Sequence, residues 1–247
     1  MGKLDGKVAV VVGGGRNIGR AISLLFAKEG AKIAIFDMDE GRAAGVAEEV
    51  EAQGGECTYV IGPVQDVNSV KNMVSTVVGR LGKIDILTNC AAISDRLPML
   101  ELPDEEYLRI VDVTMHGSYY TCKYVAEQMV KQGTGGAIVN FSSGSAFRGS
   151  TSRVAYDMAK GAIVTLTMDL AVQLGPHGIR ANAIAPGITG SQVGGTIAME
   201  DRSTRNVIGG RPGLPEEQAS VALFLASDDA AHIHGQTINV DAGMNVM

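Results

Sequence analysis

At 247 residues the chain is long enough to bury most of its apolar surface in one core. Hydrophobic residues make up 45% of it and charged residues 19%, which excludes a disordered chain. A net charge of -6 leaves no electrostatic footprint for nucleic acid or an anionic membrane, and no apolar run approaches the length of a membrane span.

Lys7–Val12 (KVAVVV) is the first expected strand, almost continuously apolar as parallel strands covered on both faces are. Ile18, Ala21, Ile22, Leu25 and Phe26 then recur at helical spacing, with Gly30 placed to end the helix. Lys32–Phe36 reads as a second strand, and Val46–Val50 lies in a second helix. Asn68–Leu81 is predicted helical up to Gly82, and Ile84–Thr88 is a strand. Asp104–Lys131 reads as one helix, opened by Pro103 and three acidic residues suited to a helix N-terminus. Ala137–Phe141 is a strand, Val154–Leu174 a helix stopped by Gly175-Pro176, Pro215–Ala226 another helix, and Thr237–Val240 the last strand.

Such alternation, with right-handed crossovers, predicts an α/β fold: a Rossmann-like doubly wound parallel sheet of about seven strands, helices on both faces. No linker or charge block divides the chain, so residues 1–247 are expected to form a single dinucleotide-binding and catalytic domain. Pro186–Gly213 is glycine-rich, polar and too long for an ordinary connection. It predicts a substrate lid at about 188–212.

The first strand runs straight into Gly13-Gly14-Gly15-Arg16-Asn17-Ile18-Gly19 and then a helix. Glycines there let the backbone approach a pyrophosphate, and the helix N-terminus supplies unpaired N–H groups with partial positive charge. Asp37 closes the second strand, where an acidic residue accepts from the adenosine ribose hydroxyls and repels a 2′-phosphate. The next residue is Met38, not a base. NAD is therefore expected over NADP, with the Arg16 guanidinium as the counterweight.

Tyr156-Asp157-Met158-Ala159-Lys160 puts a phenol and an ammonium on one helix face, since residues four apart are neighbours. A nearby cation favours the phenolate, which suits proton transfer at a carbonyl or alcohol oxygen. The spacing alone is common. Joined in fixed order by the glycine loop, Asn89-Cys90-Ala91-Ala92, Ser142-Ser143, Pro186-Gly187 and Gly235–Gly243, it resembles the short-chain dehydrogenase/reductase family over essentially the whole chain.

That resemblance implies roles residue by residue. Ser143, thirteen before Tyr156, would hydrogen-bond the substrate oxygen, Tyr156 would carry its proton, and Lys160 would hold the nicotinamide ribose and depress the tyrosine pKa. Asp66 and Val67 would line the adenine pocket, and Asn89 and Ala91 the ribose region. Pro186, Gly187, Ile188, Thr189 and Ser191 would hold the carboxamide end. A homotetramer is also implied. The chain departs from the family pattern at Val12, Asn17, Cys90, Ala92 and Ser191. The largest departure is Thr114, which aligns with an asparagine that anchors a water of the proton relay. A threonine hydroxyl can hold a water but reaches less far, so the relay would be altered.

Other reactive side chains read as structural. His116 falls elsewhere on its helix, and His232 and His234 have no Cys or carboxylate at ligand spacing, so no metal is expected. Cys57, Cys90 and Cys122 are scattered and odd in number, and Met1–Gly6 carries no secretory pattern; together these point to the cytoplasm. The leading expectation is an NAD-dependent dehydrogenase of a small secondary alcohol or ketone. A 3-oxoacyl thioester reductase would prefer NADPH and a basic patch, for which Arg148, Arg153, Arg202 and Arg205 are available. A non-catalytic NAD-binding regulator would draw on the Thr114 departure, against an intact Ser143, Tyr156 and Lys160. The substrate pocket is expected along Ser94–Leu97, Ser145–Arg148 and Ser191–Ile208, made partly apolar by Phe147, Val193, Ile197 and Met199.

Overall fold

Val8–Val12 (β1) is buried at all five positions, and Lys32–Asp37 (β2) at all but its first, so both strands need cover on two faces. The computed structural model describes residues 2–190, 207, 208 and 210–246 and supplies that cover. Cys57–Ile61 (β3), Ile86–Asn89 (β4), Gly136–Phe141 (β5), Ile179–Pro186 (β6) and Thr237–Val240 (β7) complete a seven-stranded sheet in the order β3-β2-β1-β4-β5-β6-β7. Every neighbouring pair is parallel.

Alternation along the strands sorts the core into two layers. Val11, Ile33 and Ile35 face a layer that includes Ile22 and Phe26 of α1 (Asn17–Lys28), Val46 of α2 (Glu40–Ala52) and Leu225 of α7 (Pro215–Ala226). Val10, Val12 and Phe36 face the opposite layer, with Met73 and Val77 of α3 (Val67–Leu81) and Val125 and Met129 of α5 (Gly117–Gln132). Leu166 and Leu170 of α6 (Val154–Leu174) pack against that second layer.

Two strands have no bounds in the hydrophobic pattern. β3 is an edge strand, mostly half-buried. β6 carries Arg180 and Asn182 inside an otherwise apolar run. Arg180 donates to Leu225 O and Ser227 O, and Asn182 to Ile233 O at 2.7 Å, so these polar groups are satisfied.

Asp104–Lys131 is not one α-helix. α4 (Asp104–Val111) passes through a π-turn at Asp112–His116 before α5 begins. Two tertiary contacts fix the break. The Thr114 hydroxyl both accepts from Ile93 N (3.2 Å) and donates to Ile93 O (3.1 Å). Gly117 lies so close to Val64 that a Cβ would sit 2.6 Å from Val64 Cγ2.

The chain runs β1-β2-β3 to one side, then crosses back to β4 on the other side of β1. Val12 stands level with Phe36 and Asn89, so the C-terminal ends of the three strands open together at this switch point, where open α/β sheets bind ligands. Among the described residues no helix is long and apolar enough to cross a membrane.

Candidate active site

A cleft of about 430 Å3 follows the C-terminal ends of the strands. Its first wall is the glycine loop. Gly13 has φ +71°, and a Cβ there would sit 2.9 Å from Ala91 N. A Cβ on Gly19 would lie 2.1 Å from Gly13 O, which no neighbouring backbone could accommodate. Asn17 stands in the left-handed region at φ 49°, a conformation asparagine tolerates better than most residues. The first turn of α1 has no acidic residue, and Arg16 gives it no side-chain cap, leaving its amides open to an anion. Asn17 Nδ2 is buried without a hydrogen-bond partner and lines the same cleft. These features fit a dinucleotide pyrophosphate.

Asp37 is nearly buried at the cleft wall, its carboxylate held by Gly15 N (2.9 Å) and Asp39 N (3.1 Å). Met38 lines the cleft beside it. So does Arg42, a residue the sequence reading did not single out. Its place follows from α2, where Asp39 caps the helix by accepting from Arg42 N. Asp37 therefore shares its end of the cleft with two guanidinium groups, Arg16 and Arg42.

Gly13, Arg16, Asn17, Ile18, Gly19, Asp37, Ala91, Pro186, Gly187 and Thr189 all line the cleft, whereas Asp66, Val67, Asn89 and Ile188 do not. Asp66 caps α3 by accepting from Asn68 N, and Val64 and Gln65 form that part of the wall. The Asn89 amide is spent inside the fold. It donates to Asn140 Oδ1 (2.9 Å) and accepts from Thr121 Oγ1 (2.7 Å), tying β4 to β5 and α5. Ser191 lies outside the described residues, as do Val193, Ile197, Met199, Arg202 and Arg205. The two ends of the expected lid meet, Gly213 N donating to Ile188 O (2.8 Å) and Gly190 N to Gly213 O (3.0 Å).

Ser143, Tyr156 and Lys160 converge at the opposite end of the cleft. Ser142 lines it too, but its hydroxyl donates to Lys160 O (2.8 Å) and so anchors α6. Ser143 Oγ accepts from both Ser145 N (3.2 Å) and Ser145 Oγ (3.0 Å). With both lone pairs engaged, the Ser143 proton is left free to donate on the side of Tyr156 and the cleft. Ser145 was expected on the substrate pocket; it is buried behind Ser143 instead. Phe147 remains about half exposed.

Burial pushes the Tyr156 phenol above its ordinary value, against the pull of the Ser143 hydrogen bond and the Arg153 and Arg96 charges. Burial also lowers the Lys160 ammonium to about 8. Lys160 Nζ donates to Phe141 O (2.5 Å) and lies 5.7 Å from the centre of the Tyr156 ring. The expectation that Lys160 depresses the tyrosine thus gives way to desolvation, which spacing along a helix cannot register. Cys90, beside Lys160, is pushed up to about 12 by burial and is no thiolate. His116 pairs with Asp112 (2.8 Å) on the exposed side of the π-turn.

Asp95 falls within Ser94–Leu97, the stretch expected to line the substrate pocket, but the structure gives it another place. Asp95, on the loop after β4, does not line the cleft; it accepts from Ala155 N and Tyr156 N at the start of α6.

A family model described as enoyl-(acyl carrier protein) reductase matches residues 13–245. The chain belongs to the short-chain dehydrogenase/reductase family. Two relatives differ in the activity they are named for. An L-rhamnose 1-dehydrogenase (NAD(P)(+)) of Azotobacter vinelandii is 36% identical over 248 residues, spanning 97% of each chain. A 3-oxoacyl-[acyl-carrier-protein] reductase of Thermotoga maritima is 32% identical over 98% of this chain and 99% of its own. A short-chain type dehydrogenase/reductase from Mycobacterium marinum superposes with a TM-score of 0.94 at 32% identity, covering 99% of this chain and 97% of that one. This short-chain dehydrogenase/reductase is thus an oxidoreductase of a family that works with NAD(P).

Proposed function

We propose that this chain interconverts a small secondary alcohol and its ketone, using NAD in preference to NADP. The observation that carries the reading is the convergence of Ser143, Tyr156 and Lys160 at one end of a cleft whose other end is a glycine cradle. A nicotinamide dinucleotide bound there would supply the hydride chemistry. The glycine loop and the open amides of α1 would hold its phosphates, and Asp37 its adenosine ribose. Ser143, its proton directed outward by Ser145, hydrogen-bonds the substrate oxygen. Tyr156 donates the proton to that oxygen in reduction and takes it in oxidation. Lys160, close to neutrality in its pKa, passes the charge on and orients the ribose.

Asp37 disfavours a 2′-phosphate, while Arg16 and Arg42 temper that preference. Thioester reduction draws support from the family description and from the Thermotoga maritima relative. The carboxylate at the cleft wall weighs against the NADPH that reading prefers. The stretch at about 188–212 would close over the substrate. Exposed Met158, Met168 and Val172 on α6 support assembly into a homotetramer.

The test is dinucleotide-coupled turnover over a panel of secondary alcohols, polyols, ketones and a 3-oxoacyl thioester, with NADH and NADPH compared. Tyr156→Phe is expected to cost about 1,000-fold in kcat with NAD binding retained. Full activity in that variant would overturn the assignment, and tight NAD binding without turnover on any substrate would favour the regulator.

A further inference from the structure

The first amides of a helix have no partner within it, and α6 begins at Arg153 with no side-chain cap of its own. The partner comes from sixty residues upstream. Asp95, 2% exposed, accepts from Ala155 N at 3.2 Å through one carboxylate oxygen and from Tyr156 N at 3.1 Å through the other. One of the two amides it holds belongs to the residue whose phenol moves the proton.

The loop that carries Asp95 is fixed at a second point. Ile93, which lines the cleft, is gripped at both N and O by the Thr114 hydroxyl in the π-turn. Between them, Thr114 and Asp95 fasten the loop after β4 to the α4–α5 segment on one side and to α6 on the other. The wall that receives the substrate and the helix that presents Tyr156 are thereby held in one register.

We propose that Asp95 is a positioning residue for proton transfer, fixing the first turn of α6 so that the Tyr156 hydroxyl meets both Ser143 and the substrate oxygen. The proposal rests on the dehydrogenase reading above. It concerns geometry, since a misplacement of about 1 Å is enough to cost about 100-fold in rate. The glycine loop and the Asp37 wall, which hold the phosphates and the adenosine ribose, lie on α1 and β2, away from this contact, so most of the hold on the dinucleotide does not share in the effect.

Asp95→Ala and Asp95→Asn test it. In Asp95→Ala, hydrogen exchange at the Ala155 and Tyr156 amides should accelerate while the β-sheet amides stay protected. For the same variant kcat per NAD-binding site should fall by about 10- to 100-fold, with NAD affinity unchanged within about twofold. Asp95→Asn keeps one acceptor oxygen and should recover part of both effects. Unchanged exchange at the two amides overturns the proposal. So does an unchanged kcat per binding site, or a parallel fall in kcat and NAD affinity, which would mark general destabilisation. If the wild-type chain itself shows no turnover, the dehydrogenase reading fails. Asp95 is then judged on hydrogen exchange and on the NMR signal of the Tyr156 ring, which must shift in Asp95→Ala for the positioning role to stand.

Discussion

Tyr156 and Lys160 sit one helical turn apart, and burial acts on them in opposite directions, raising the phenol and lowering the ammonium. For Lys160 the consequence extends to stability. Its pKa is about 8 in the folded chain against 10.5 for an ordinary lysine. Between those values the unfolded chain holds the proton and the folded chain does not, so the Lys160 contribution to stability rises with pH across that window and is smallest below about 8. The size of the rise is on the order of 3 kcal/mol. Lys160→Met should abolish turnover, and the stability difference between variant and wild type should change between pH 7 and pH 10, which urea midpoints would show. A difference from wild type that is the same at both pH values would place the titration elsewhere. Burial likewise holds the Cys90 thiol, beside Lys160, up at about 12.

At the scale of elements, the break between α4 and α5 is where local and tertiary preferences part. Asp104–Lys131 has the pattern of a continuous helix, and nothing in its composition marks a π-turn. The turn is set by the reciprocal hydrogen bonds between Thr114 and Ile93 and by the close approach of Gly117 to Val64. Thr114 was notable in sequence as a departure from a family asparagine; in the structure its hydroxyl is committed to the backbone of the loop after β4. Thr114→Val, nearly equal in volume, would leave Ile93 N and O unsatisfied at a cost of about 2 kcal/mol. A drop of about 5 °C in Tm is expected, largely recovered in Thr114→Ser. An unchanged melting temperature in Thr114→Val would show that the clamp is dispensable.

For the whole molecule, the question is which apolar surface the fold leaves uncovered. α6 is apolar around most of its circumference, a pattern that belongs to a helix buried on all sides. Yet Val172 is 77% exposed and Met158 56%. Tyr119 on α5 and Leu108 on α4 are exposed as well. A second copy of the chain is the simplest cover, and symmetric assemblies set such a patch against itself. Light scattering should therefore give the mass of a tetramer, and Val172→Glu, placing a charge against its own copy, should shift the species to a smaller assembly with the monomer fold intact. A wild-type monomer at micromolar concentration would remove the argument.

The hydrophobic period and the glycine, proline and acidic punctuation of this chain were enough for the doubly wound sheet and for α6 and α7 residue by residue, while the Ser143, Tyr156 and Lys160 set was named by the family resemblance. These signals are local, written within one helical turn or one strand. β3 stayed faint because an edge strand is only half-buried, and β6 because Arg180 and Asn182 interrupt its apolar run. Tertiary structure alone decided what depends on groups distant in sequence. It directed the Asn89 amide into the core, brought Arg42 beside Asp37, turned Ser145 behind Ser143, and carried Asp95 across sixty residues to the amide of Tyr156. A pattern of side chains fixes which face of an element is buried; only packing fixes which buried polar group finds which partner, and how much solvent each charge has lost.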